Sequence, residues 1–224
     1  MRLLSLLLLW IAAVTPSLVA EDLPKVLIIV DEVHLGPART AADELKGRAE
    51  VTVPAGDSGD TGAAIGKLDE LLGQTKWDLI YFNFGFADLR HLDPKTKSVR
   101  LMSRHAGGER VTGPQAYREN LRKIVSRLKA TKAQLIWAST TPLVGTKYDG
   151  IYESGSEKEY NAIAATIMKE ENVEINDRHA WVLENVKNFR DSFSFRRIPI
   201  HEPVVESIET ALKLPKKVKT QKKD

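Results

Sequence analysis

Uninterrupted apolar runs alternate with amphipathic stretches along most of this chain. The first run, KVLIIV at 25–30, carries no polar side chain from Val26 to Val30, the pattern of a strand buried on both faces. ARTAADELKG (38–47) follows as a helical stretch closed by Gly47. AEVTVP (49–54) reads as a second strand, and TGAAIGKLDELLG (61–73) as a helix with Ile65, Leu68 and Leu72 on one side. WDLIYFNFG (77–85) predicts a third strand. GPQAYRENLRKIVSRLKAT (113–131) predicts a long helix with Tyr117, Leu121, Ile124, Val125 and Leu128 on one face. Then come strand AQLIWAST (133–140), helix SEKEYNAIAATIMKEENV (156–173), the short strand VEIND (173–177) and helix EPVVESIETALKL (202–214). Strands alternating with helices predict an α/β domain whose parallel sheet is covered on both faces. In such sheets, sites form at the carboxyl ends of strands where the strand order reverses. The stretches to search are therefore 31–36, 54–61, 84–112, 139–155 and the segment before the last helix.

The N-terminus departs from this alternation. Arg2 precedes LLSLLLLWIAAV, then Thr15-Pro16 and SLVA. A short positive start, an apolar stretch too short to span a bilayer comfortably and an Ala-ended exit read as a signal peptide, 1–20, cut near Ala20-Glu21. Leu18, where a smaller residue is usual, leaves an uncleaved anchor as the alternative. Either reading predicts export, to the periplasm or beyond the cell. The chain has no cysteine, which excludes disulfides and thiolate metal sites.

Charge changes the picture less than the totals suggest. The chain has 33 Lys and Arg against 30 Asp and Glu. Without Arg2, the six lysines of the tail KLPKKVKTQKKD and Asp224, 26 basic residues face 29 acidic ones, a net charge of −3. The positive excess thus lies in residues 213–224, a solvating Lys-rich tail or a weak anchor on an anionic surface. Nothing in the pattern supports nucleic-acid recognition.

The candidate chemistry centres on PAGDSGDTG. Gly56-Asp57-Ser58 spells a serine-esterase signature, but Gly, Asp and Ser are also ordinary turn and helix-cap residues. Asp31, Glu32, His34, Asp57, Asp60 and Asp88 gather acidic and imidazole groups near one sheet end, without the compact spacing of a metal motif. No metal ligand is assigned, and no cofactor is implied.

The pieces KLDELLGQTKWDLIYFNFGFADL, LIWASTTP and YNAIAATIMKEENVEINDRHAWVL, in that order and spacing, resemble the SGNH (GDSL-like) hydrolase family, specifically a branch of secreted bacterial members. The resemblance covers about residues 24–212. It implies a flavodoxin-like three-layer α/β/α sandwich with a parallel sheet of about five strands. It also implies hydrolysis of esters or acyl groups by a serine in a Gly-Asp-Ser turn directly after the first strand. Here that turn reads Val30-Asp31-Glu32, with Gly36 where a further family glycine often sits. The nucleophile position is Glu32, and a carboxylate has no proton for a base to remove at neutral pH. Gly59 matches the oxyanion glycine, so Ser58 lies in the loop beside it. The Gly-x-Asn-Asp element reads Gly85-Phe86-Ala87-Asp88, leaving a methyl at the donor position and Asn83 nearby on the strand. The Asp-x-x-His element reads Asp191-Ser192-Phe193-Ser194, with His201 as the histidine that follows. Serine, asparagine and histidine are therefore all absent at their matched positions.

The long connection 88–113 adds Arg90, His91, Arg100, Arg104 and Arg110 above the expected cleft. It is a solvated insertion or a lid for an anionic or sugar-like ligand. PLVGTKYDGIYESGSE is a second rim. These readings together give an exported protein of this fold that has lost ester hydrolysis. It binds a small-molecule, carbohydrate or acylated ligand through the cleft residues Ser58, Asn83, Gly85, Ala87, Arg90 and His91. An active hydrolase with a rearranged constellation, drawing on Ser58 or Ser194 with His201, is the alternative, and a purely structural module is a third class.

Material secreted by a native-like host should begin near Glu21 on N-terminal sequencing. A mature protein still starting at Met1 would favour the anchor.

Overall fold

The computed structural model describes residues 22–96, 100–144, 148, 150–193, 195 and 198–216. Residues 1–20, expected as a leader, Ser194 and the tail from 217 onward lie outside the described residues.

Five strands form one parallel sheet: β1 (Lys25–Ile29), β2 (Glu50–Thr52), β3 (Leu79–Phe82), β6 (Gln134–Ala138) and β7 (Glu174–Asn176), in the order β2-β1-β3-β6-β7. Strand order reverses between β1 and β3, the position at which open α/β sheets hold their ligands. Val26 registers on Leu79 and Ile29 on Phe82, and Leu79 registers on Gln134. The side-chain period of two sorts each central strand between two cores. Leu27, Ile29, Ile80, Phe82, Leu135 and Trp137 face one way. They meet α2 (Thr61–Leu72), α3 (Pro114–Lys129) and α4 (Glu157–Glu170). Val26, Ile28, Leu79, Tyr81 and Ile136 face the other way, onto α1 (Leu35–Leu45) and α6 (Glu202–Ala211). The result is the three-layer sandwich.

The amphipathic face expected of residues 113–131 is the buried face of α3: Tyr117, Leu121, Ile124, Val125 and Leu128. Gly113 and Pro114 open that helix, where a missing N–H leaves no bond unmade. Other boundaries move. α1 begins at Leu35 rather than Ala38, because a one-turn 3₁₀ helix, Glu32–His34, feeds directly into it and Pro37 falls in its first turn, where proline is tolerated. An unexpected short helix, α5 (Arg178–Asn185), follows β7, started by Asp177 accepting the Ala180 N–H at 3.0 Å. Eight residues are too few for a 3.6 period to stand out. Packing continues past α6: Leu214 lies against the α1/α6 core and the Pro215 carbonyl accepts from Arg48 at 2.8 Å.

The described parts of 88–113 pair with one another. β4 (His91–Leu92) pairs antiparallel with β5 (Glu109–Arg110), and Leu92 also bridges Leu101. Among the described residues, no helix is long and apolar enough to cross a membrane.

Ile28 and Ile80 are fully buried on opposite faces of the sheet. Ile28→Ala or Ile80→Ala should each lower unfolding stability by about 2–5 kcal/mol in urea titration, while Glu70→Ala on the exposed side of α2 should stay within about 0.5 kcal/mol of wild type.

Candidate functional site

The end of β1 is stitched on both sides. The Ser58 N–H donates to the Val30 carbonyl at 3.1 Å, and the Asn83 N–H to the Ile29 carbonyl at 2.9 Å. Asp31 thus emerges at the switch point between the loops that follow β2 and β3. The 3₁₀ turn after it sends its side chains two ways. Glu32 is exposed, and His34 is turned into the protein.

His34 Nδ1 lies 2.5 Å from Asp31 Oδ1, and its Nε2 lies 3.2 Å from Thr141 Oγ1. The carboxylate only accepts, which assigns the proton to Nδ1 and makes Nε2 the acceptor of the Thr141 hydroxyl. Asp31 is 1% exposed, and His34 and Thr141 are 0%. Phe195 stacks on the imidazole with centroids 5.3 Å apart. Burial holds the His34 pKa below its ordinary value, and the charge of Arg178 adds to this, against the opposing pull of Asp31. The imidazole is therefore neutral. Arg178 is itself fully buried, with its guanidinium 6.0 Å from the centroid of the Tyr81 ring and its Nε donating to the Ser139 carbonyl at 3.4 Å.

Two glycines shape the neighbouring loops. Gly59 has φ +70 and Gly85 φ +144, and a Cβ on Gly85 would stand 2.7 Å from the Thr140 hydroxyl. Asn83 Nδ2 donates to the Ala138 carbonyl at 2.8 Å, so its amide ties β3 to β6. Ala87 presents a buried methyl. Asp88 Oδ1 accepts from the N–H and hydroxyl of Thr61, at 3.0 and 2.6 Å, and locks this loop to the start of α2. Asp60 caps the same helix through the Ala63 N–H at 3.0 Å. Burial pushes the Asp88 pKa up to about 6, against the lowering effect of its Thr61 and Thr112 hydrogen bonds.

The side chains beside these groups mix charge and aromatic surface. Arg90 stands 3.9 Å from Asp60. The Tyr152 phenol, pushed up to about 12 by burial, feels the charges of Arg90, Asp31 and Glu32. Phe86, Tyr148, Tyr152 and Phe193 form one aromatic cluster, with centroids 4.5–5.2 Å apart.

The structure thus brings together Asp31, Ser58, Gly59, Asn83, Gly85, Ala87 and Asp88 around the end of β1, with Glu32 and Arg90 at its rim. Ser58 is buried, and its hydroxyl points to the Gly59 carbonyl at 3.5 Å. Other residues lie apart. His201 pairs with Glu44 at 2.9 Å. Asp191 is exposed and accepts the N–H of Phe193 at 2.9 Å. His91 is buried in the β4–β5 hairpin, its Nδ1 donating to the Ile151 carbonyl at 2.9 Å. Arg104 and Arg110 both reach Glu153 at 2.9 Å. Among the described residues, no group of three or more acidic and imidazole side chains converges as a metal site. Sequence reasoning missed the Thr141 partner of His34 and the buried Arg178. The local signal was the hydroxyl-rich Ser139-Thr140-Thr141 that follows β6.

No protein-family model matches the sequence, and no curated protein does. Solved structures do. A lipase/acylhydrolase from Enterococcus faecalis superposes with a TM-score of 0.64 at 15% identity, over 88% of this chain and 100% of that one. A GDSL-like lipase from Bacteroides thetaiotaomicron gives 0.62 at 12% identity, over 84% and 87%. An acetylxylan esterase from Geobacillus stearothermophilus gives 0.59 at 13%, over 85% and 94%. The chain has the SGNH-hydrolase fold. At these identities the likeness is one of architecture. In this SGNH-fold chain, the turn after the first strand ends in an outward carboxylate, Glu32, and an inward imidazole, His34.

The raised pKa of Asp88 has a definite sign. The folded chain takes up this proton at about pH 6 and the unfolded chain near the ordinary 3.8. The stabilisation from protonation is therefore complete below 3.8 and is lost as pH rises through 6. At neutral pH the buried charge costs on the order of 3 kcal/mol relative to an exposed aspartate. Asp88→Asn keeps an acceptor for Thr61 and removes that charge. Urea unfolding should show the variant more stable than wild type by about 2–3 kcal/mol at about pH 7.5, with the advantage shrinking towards about pH 4. Destabilisation at about pH 7.5 that fades as pH falls would show instead that the charge itself holds the loop.

Proposed function

We propose that this is an exported SGNH-fold protein that binds a carbohydrate or acylated glycan at the switch-point cleft and does not hydrolyse esters by a serine mechanism. The observation that carries this reading is that the buried imidazole after the first strand, His34, is bonded to no serine. Acyl transfer needs an accessible hydroxyl, a base that polarises it and donors aimed at the developing oxyanion. Among the described residues, no serine hydroxyl hydrogen-bonds an imidazole nitrogen. Thr141 does so, to His34, in the closed interior. Glu32 holds a carboxylate at the family's nucleophile position, Ala87 a methyl at its donor position, and the Asn83 amide is engaged by Ala138. The leader-like 1–20 supports export.

The mouth supports a sugar-like ligand. Glu32, Asp60 and Arg90 offer acceptors and donors for hydroxyls, and aromatic side chains line the rim beside them. The acetylxylan esterases of this fold act, by name, on a decorated polysaccharide.

The chain Asp31–His34–Thr141 favours a second reading, a hydrolase whose hydroxyl is Thr141. Its order, carboxylate to neutral imidazole to hydroxyl, is that of an activated nucleophile. Complete burial of all three groups stands against it.

Turnover of p-nitrophenyl acetate and labelling by a fluorophosphonate probe separate the two. Wild type should show background turnover and no label. Glu32→Ser alone should restore little, because the missing oxyanion donor by itself is worth about 10²–10³ in rate and the members of such a site act as a unit. Robust turnover and label that vanish in Thr141→Ala would establish the second reading. Loss in Ser58→Ala instead would make the loop serine the nucleophile.

A further inference from the structure

A groove of about 200 Å³ opens on the other flank of the sheet edge, between α4 and the ends of β6 and β7. None of its lining residues belongs to the switch-point cleft. Trp137 and Ile175 from the sheet and Ala165 from α4 supply apolar wall, and Ser139, Asp177, His179, Lys158 and Asn161 supply polar groups.

These polar groups are held in place. Ser139 donates to Asp177 Oδ1 at 2.8 Å and accepts the His179 N–H at 2.9 Å. The His179 ring is fixed by Glu157, 3.1 Å away and 1% exposed. Asn161 is locked by both backbone groups of Thr140, at 2.8 Å each. A site whose side chains are already ordered loses little entropy on binding. Trp137, buried on this wall, has an indole Nε1–H with no hydrogen-bond partner. A buried donor of this kind is costly to leave unmade, and an acceptor oxygen on a ligand would satisfy it.

Both signs of charge line the groove, Lys158 and Asp177, so a ligand of one net sign would meet repulsion from one of them. Hydroxyl groups donate and accept, and so match a wall that offers ammonium and indole donors beside a carboxylate acceptor. A cavity of about 150 Å³ accommodates one six-membered ring. We infer that this groove is a second ligand site that takes a single neutral polyhydroxylated ring, a monosaccharide unit.

The test is a ¹⁵N–¹H titration of the full mature chain with xylose and with glucose, following the indole cross-peak of Trp137, assigned through Trp137→Phe. Saturable movement of that peak with millimolar affinity is expected. Ala165→Trp, which fills the groove from the α4 side, should weaken it about tenfold or more, and Lys158→Ala should weaken it too. The spectrum itself reports whether each variant is folded. A Trp137 peak that stays put, or one that moves equally in Ala165→Trp, overturns the proposal. Movement with glycine but not with either sugar overturns the ligand class, since a zwitterion also suits mixed charge. Arg90→Ala at the cleft mouth should leave the titration unchanged, so the result does not depend on what the cleft binds.

Discussion

A parallel sheet covered on both faces leaves the carboxyl ends of its central strands in a half-dry place, where a polar group without a partner is costly. The Asp31–His34–Thr141 chain is how this protein meets that constraint. It links the end of β1 to the segment after β6, across β3, and is closed by the stacked ring of Phe195. A neutral imidazole suits the position because it donates at one nitrogen and accepts at the other without carrying charge into the core. The buried Arg178 nearby reinforces this by opposing protonation.

The same turn sends its two polar side chains in opposite directions. A 3₁₀ turn has about three residues per turn, so positions two apart point to different sides. Glu32 faces solvent and His34 faces the core. The imidazole is used up in holding the strand ends together. Asn83 is used in the same way, joining β3 to β6 through Ala138, and Asp88 ties its loop to the start of α2 through Thr61. These side chains anchor loops to the sheet.

Charge in the long connection follows a similar course. A basic stretch suggests a cationic lid, yet Arg104 and Arg110 converge on Glu153, and His91 bonds the Ile151 carbonyl. The described parts of 88–113 are thus tied to 150–153. Arg90 is the basic residue of this stretch that stands close to Asp60 and Tyr152.

Periodicity in the sequence was enough to place the five parallel strands, the main helices and the residues of both cores, because burial direction repeats every two or 3.6 residues and is written locally. The buried faces of α3 and β1 were legible residue by residue for this reason. α5 was not legible, because eight residues give too little period. The β4–β5 pairing, two residues on each side, gave no more. What only the tertiary structure decided is which polar side chain meets which. His34 and Thr141 are 107 positions apart, and no local pattern carries that distance. Strand order brings them together, and strand order is fixed by packing the whole sheet between its two helical layers.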